Sequence, residues 1–221
     1  MRDLPTRNSS GSQALNVMRR PTFIAKQAAR PSGLVGRMLT SIMALETKRF
    51  NSEVLEHVLI GPGQHILEIG FGHGHTLQRV ATAHPEARFA GIDHAEDMVT
   101  LVARRCSSLI RDGRLDIRAG TSQSLPWPNE SFDWVFAVHT IYFWQDLLTH
   151  LLEIHRVLVP GGRVVLGFRE KNAMTEKALP AEVYDLRSVQ DVTNLLRDGG
   201  FAPHINGDHV SGLWIAEGTR A

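Results

Sequence analysis

Residues 68–75, "EIGFGHGH", place a carboxylate two positions ahead of three alternating glycines, directly after the apolar run "HIL". Glycine tolerates positive φ and lets backbone approach a ligand closely, so a glycine loop after a strand marks a binding turn. The pyrophosphate fingerprint Gly-x-Gly-x-x-Gly does not fit. Counted from Gly70 its third glycine falls on His75, and counted from Gly72 it falls on Leu77. The spacing present is Glu68-x-Gly70-x-Gly72-x-Gly74. Charge selects more sharply than spacing: a carboxylate ~5 Å from a phosphate repels it by roughly 3 kcal/mol in a partly screened site, and attracts a cation by as much.

A second acid, Asp93, ends the next apolar run, "RFAGI", where a carboxylate commonly takes the hydroxyls of a ribose. A nucleoside carrying a cationic, phosphate-free attachment satisfies both acids. S-adenosylmethionine, with a sulfonium and an α-ammonium group, is such a ligand. The alternative use of Asp93 is as N-cap of the following helix. His73 and His75 also lie in the loop, but two histidines without a third ligand make a poor metal site, and no metal is expected.

The elements that must position these residues alternate. "HILEI", "RFAGI", "LDIRA", "DWVFAV" and "RVVLGF" read as strands, separated by helical patterns over "TLQRVATAH", 95–111 and 146–158. A last helix begins at Ser188 with Asp191 as a capping-box partner and closes at Gly199-Gly200. Two short strands, about 203–209 and 213–217, finish the chain as an antiparallel hairpin with a reversed edge strand. Strands alternating with helices predict an α/β fold: a doubly wound, mostly parallel sheet with helices on both faces and ligands at the carboxyl ends of the strands.

The runs "HILEIGFGHGHTL", "FAGIDHAEDM", "RAGTSQSLPWPNESFDWVFAVHTIYFW" and "EIHRVLVPGGRVVLGF" occur in the order and spacing of a known family. Across about residues 55–217 the chain resembles the class I S-adenosylmethionine-dependent methyltransferases, nearest to the branch of ubiquinone- and menaquinone-biosynthesis and other small-molecule enzymes. The resemblance implies a Rossmann-like seven-stranded sheet with its last strand antiparallel, a bound S-adenosylmethionine and transfer of its methyl group to a small-molecule acceptor. It implies Glu68, Gly70, Gly72 and Gly74 around the methionyl part, Asp93 on the ribose, His94 and Met98 against the adenine, and Thr121 and Ser122 at the adenine edge. Relatives often carry Asp where this chain has Thr121, and a hydroxyl accepts from the adenine amine more weakly than a carboxylate.

In that fold "AVHTIYFWQD" faces the methyl group, which makes His139 the candidate general base or acceptor-orienting residue, with Tyr142 and Trp144 as an aromatic wall. Holding nucleophile and methyl in line supplies ~7 to 11 kcal/mol of the barrier, and a base is needed only for a nucleophile that arrives protonated. Oxygen, nitrogen and carbon acceptors all remain open. A non-catalytic S-adenosylmethionine-binding protein is the competing reading, and a nicotinamide oxidoreductase is disfavoured by Glu68.

The 221 residues, 43% hydrophobic, fit one α/β domain with an extension. Residues 1–20 read as a disordered tail, 21–60 as a helical lid and 61–221 as the cofactor-binding domain. Residues 1–50 hold nine basic and two acidic side chains, so the remainder is net acidic. The basic arm could meet nucleic acid, an anionic membrane or an acidic small molecule, but the net acidic remainder and the lack of basic–aromatic interleaving speak against nucleic acid as partner. The single Cys106 fits a reducing compartment and packing within a helix, and no run is long enough for a membrane span, so a cytoplasmic protein is expected. Monomer and homodimer are not distinguished.

Overall fold

A computed structural model describes residues 48–175, 179–207 and 210–221. The tail of residues 1–20 and residues 21–47 of the expected lid lie outside the described residues. In chain order the elements are helix α1 (residues 48–56), then β1 His65–Ile69, α2 His75–Ala83, β2 Arg88–Asp93, α3 Glu96–Arg105, α4 Ser107–Arg111, β3 Leu115–Ala119 and β4 Phe132–Val138. A 3-10 turn, Ile141–Phe143, leads to α5 Leu147–Val157 and β5 Leu158–Arg169. After these come α6 Lys171–Thr175, α7 Val189–Asp198, β6 Phe201–Gly207 and β7 Leu213–Arg220.

The seven strands form one sheet in the order β3-β2-β1-β4-β5-β7-β6. β1 pairs in parallel with β2 and β4, whereas β7 pairs antiparallel with both β5 and β6. The closing hairpin therefore forms as expected, but its reversed strand lies inside the sheet and β6 takes the edge. The sequences explain the choice. β7 brings Ile215 and Ala216, both buried, while β6 carries Pro203 and a mostly part-exposed pattern, and proline is tolerated at a sheet edge.

Side-chain alternation gives each face its own core. Leu67, Ile69, Val135, Ala137, Leu166 and Phe168 pack beneath α5 and α7. Ile66, Phe89, Trp134, Phe136 and Val165 pack beneath α1, α2 and α3, which bring Phe50, Val54, Leu77, Met98 and Val102. α1 sits close to the sheet because position 167 has no side chain: a Cβ there would meet Val54 Cγ2 at 2.5 Å. This end of the expected lid is thus packed core.

Two other details differ from the sequence reading. The helix expected over 95–111 breaks at Cys106, where φ is −100° and ψ 21°. The short α4 then ends in a turn closed by the Arg114 amide on Leu109 O, 2.9 Å. The "PGG" run does not stand apart from the fifth strand: Phe132 pairs with Leu158 and Trp134 with Arg163, so residues between them bulge out of the ladder. α7 starts as predicted, with Ser188 accepting from the Asp191 amide and Asp191 reaching back to the Ser188 amide.

Candidate functional site

Strand order reverses between β1 and β4, and in an open α/β sheet the crevice at the carboxyl ends beside such a reversal is the binding place. The glycine loop leaves β1 on one side of it and the His139 segment leaves β4 on the other. Gly70, Gly72 and Gly74 all have positive φ, 76°, 51° and 67°. They are glycine for different reasons. A Cβ at 70 would lie 2.2 Å from Thr140 Cγ2, and one at 74 would lie 2.7 Å from both methyls of Val102, but at 72 there is nothing within 4 Å. Gly70 and Gly74 fit the protein to itself, and Gly72 borders open space.

Glu68 stands at the root of this loop, 6% exposed, with its Oε2 buried and without a hydrogen-bond partner. Burial raises its carboxyl from the ordinary value to about 8, helped by the nearby Asp93 charge, while Arg79 and the Leu77 amide pull less strongly the other way. Glu68 is thus neutral at pH 7 until a cation arrives. This changes the physics of the selection but not its sign: a cation ionises the group, and an anion only drives the proton on harder. Asp93 is also 6% exposed. Its Oδ2 accepts from the Gly72 amide at 2.8 Å and its Oδ1 from the Ala95 amide at 2.9 Å. The helix-start role and the crevice position therefore coexist, since each carboxylate oxygen keeps a second lone pair.

Among the adenine candidates, His94 is partly exposed with Nδ1 3.9 Å from Asp93 Oδ1, and Thr121 is exposed on the loop after β3. Met98 is 0% exposed and belongs to the core beneath α3. It offers no surface to a base: the α3 stripe that carries it faces the sheet, and only the family resemblance set it against the adenine. Ser122 is also buried, its Oγ 2.6 Å from His150 Nδ1, and the His150 ring lies flat on Trp144 with centroids 4.6 Å apart. Its hydroxyl is engaged by α5 rather than presented at an adenine edge. Burial lowers the His150 imidazole to about 4, so it is neutral at pH 7. Sequence reasoning missed this link, although a histidine on the Leu147–Leu151–Ile154 face of α5 is a readable signal.

On the other wall, His139 adopts φ 57°, a left-handed conformation uncommon for a residue with a side chain and often held at functional sites. Its amide donates to Gly167 O at 2.8 Å. The ring sits between Phe50, 5.1 Å away, and Tyr142, stacked at 6.0 Å, with Nδ1 2.9 Å from Tyr142 Oη. Tyr142 is buried, its Oη also accepts from the Arg169 amide at 2.5 Å, and burial raises its phenol well above the ordinary value. Tyr142 therefore backs His139 instead of forming an open wall, and Trp144 is packed on His150. Arg187, unforeseen from the sequence, holds this segment: it donates to Ile141 O at 3.1 Å, Trp144 O at 2.8 Å and Gln145 O at 3.2 Å, and pairs with Asp185. Only folding brings position 187 to these carbonyls.

Among the described residues no group of three His, Cys, Asp or Glu side chains gathers as a metal site. Cys106 is buried, and burial raises its thiol above the ordinary range. An open groove of ≈ 550 Å³, lined by His65, Arg88, Leu115 and Asp116, lies at the opposite edge of the sheet, where the strands begin, and has no part in this crevice. Among the described residues no helix is long and apolar enough to cross a membrane.

Residues 67–166 match a family described as a methyltransferase domain. The chain is 30% identical over 169 residues to an O-methyltransferase of Pyrenophora dematioidea, covering 73% of this chain but 63% of that protein, so it spans just under two thirds of that relative's length. It is 31% identical over 138 residues to the uncharacterized methyltransferase YdaC of Bacillus subtilis, covering 62% of this chain and 74% of that one. A solved SAM-dependent methyltransferase from Aquifex aeolicus shares the fold, with TM-score 0.65, 20% identity, and 77% and 89% of the two chains covered.

Proposed function

This chain belongs to the class I S-adenosylmethionine-dependent methyltransferases, and from that membership we propose that it moves the methyl group of S-adenosylmethionine onto a small organic acceptor. The observation that carries this reading is Glu68, a buried acid with an unpartnered oxygen beside a glycine loop whose middle member borders open space. S-adenosylmethionine supplies a carbon already activated by a sulfonium, so the protein needs to bind, align and exclude water.

In this reading Glu68 receives the α-ammonium group, Gly72 lets the methionyl chain approach the backbone, and Asp93 accepts the ribose hydroxyls while keeping its bonds to the Gly72 and Ala95 amides. His94 and Thr121 flank the adenine, and Ser122 steadies that loop through His150. His139 borders the acceptor. Arg187 and Tyr142 hold the His139 segment from behind. The O-methyltransferase relative of Pyrenophora dematioidea favours an oxygen acceptor.

Calorimetry with S-adenosylhomocysteine and with NAD tests the binding half: the first gives a saturable heat and the second none. Label transfer from methyl-labelled donor to components of a metabolite extract tests the catalytic half. Saturation by NAD alone overturns the reading, and donor binding with no labelled product in any extract reduces the protein to a binding module.

A further inference from the structure

We propose that Tyr142 is a positioning residue that fixes His139 as its Nε2–H tautomer, so that the imidazole donates a hydrogen bond to an acceptor arriving as an oxygen anion, a phenolate or enolate. The inference rests on the methyl-transfer reading for its acceptor class, but not for its tautomer.

The assignment follows from counting donors. The Arg169 backbone N–H can only donate, and it takes one lone pair of Tyr142 Oη at 2.5 Å. Among the described residues the other polar partner of that oxygen is His139 Nδ1, at 2.9 Å. Were Nδ1 to carry a proton, both partners would donate to the same oxygen and the buried phenolic proton would have no acceptor. An orphaned buried donor costs about 1 to 3 kcal/mol, which is roughly a 5- to 150-fold preference for the other arrangement. The Tyr142 hydroxyl therefore donates to Nδ1. Burial keeps that phenol protonated. Nε2 then carries the single ring proton, and the ring cannot turn over, because Tyr142 stacks on it, Phe50 packs against it at a tilt and the Gly167 carbonyl pins its backbone.

The consequence is chemical. The one unprotonated nitrogen of His139 faces Tyr142 inside the protein, and the nitrogen remote from it already bears a proton. His139 is then a donor and not a base. A neutral alcohol would keep its proton and react poorly, whereas a phenolate or enolate is already a nucleophile and its charge is held by the N–H. In the step the oxygen lone pair forms the new O–CH3 bond as the S–CH3 bond breaks. That electron pair stays on sulfur, which becomes a neutral thioether. Anion and sulfonium cancel, and no proton moves.

Histidine-nitrogen NMR on the full chain with labelled histidine reads the tautomer directly. The ring signals missing from His139→Gln should show unprotonated Nδ1 and protonated Nε2 in the unsubstituted protein. Tyr142→Phe, checked for folding by circular dichroism, should move them toward a mixture of tautomers. A protonated Nδ1 in the unsubstituted protein, or unchanged signals in folded Tyr142→Phe, overturns the proposal. If Tyr142→Phe does not fold, the unsubstituted spectrum decides alone. With S-adenosylmethionine saturating, a panel of phenols of graded acidity should show pH–rate midpoints that track each phenol's own pKa. One midpoint common to all, or no turnover of any phenol, overturns the acceptor class. Failure of the donor to bind would instead bring down the methyl-transfer reading, leaving the tautomer measurement intact.

Discussion

Replacing Glu68 by Gln should stabilise the ligand-free protein increasingly as pH rises, and should cost it donor affinity. The folded carboxyl titrates at about 8 against an ordinary 4.5. Below pH 4.5 both states hold the proton and Glu68 contributes no pH dependence. Between 4.5 and 8 the folded state holds a proton that the unfolded state has released, so the unsubstituted protein loses stability as pH rises, by about 1.4 kcal/mol per unit. Relative to Glu68→Gln the deficit is then about 1.4 kcal/mol at pH 5.5 and about 3.4 kcal/mol at pH 7. Binding runs the other way. An ammonium ~4 Å from an ionised carboxylate gains about 4 kcal/mol in a partly screened site, and ionising Glu68 at pH 7 takes back about 1.4. The net of roughly 2.5 kcal/mol predicts a Kd for S-adenosylhomocysteine raised on the order of 50-fold in Glu68→Gln. Close to one proton should leave on binding to the unsubstituted protein. Urea unfolding at pH 5.5 and 7, with calorimetry in two buffers of different ionisation enthalpy, measures all three. A stability difference that does not change with pH, or binding without proton release, refutes the view of Glu68 as a protonated acid awaiting a cation.

The glycines should separate by what their missing side chains would meet. Gly70→Ala, facing Thr140 at 2.2 Å, should lower stability by about 2 to 3 kcal/mol, whereas Gly72→Ala, with positive φ but open space, should cost only about 1 kcal/mol. Gly72→Ala should still lose donor binding; chemical unfolding beside calorimetry checks both. His150 gives the opposite pH signature to Glu68. Because burial lowers it to about 4, it stays neutral in the folded protein while the unfolded chain protonates below its ordinary 6.5. Stability is therefore lost as pH falls from 6.5 to 4, by up to about 3 kcal/mol. His150→Gln should flatten that limb in unfolding curves taken across the window.

Much of the fold was legible because hydrophobic alternation and turn chemistry are local. β1 and β3 fall on the residues predicted, and the α7 capping box is written in Ser188 and Asp191. The helix break at Cys106 and the inner place of β7 were not legible, since both depend on which neighbours the segments meet. The site divides in the same way. Glu68, the alternating glycines and Asp93 could be read from spacing and charge. Ser122 could not be placed, because a residue next to a binding loop turns inward or outward according to packing that spacing does not encode, and Met98, set against the adenine by the resemblance alone, lies in the core.

What the sequence determined by itself was the chemistry: an acid before a glycine loop that fails the pyrophosphate spacing, a second acid after the next strand, and a histidine after the fourth. Residue type and separation along the chain suffice for those. Only the tertiary structure decided the protonation states. Desolvation and partner geometry, which no local pattern contains, hold Glu68 neutral, keep His150 uncharged and turn the His139 proton away from Tyr142.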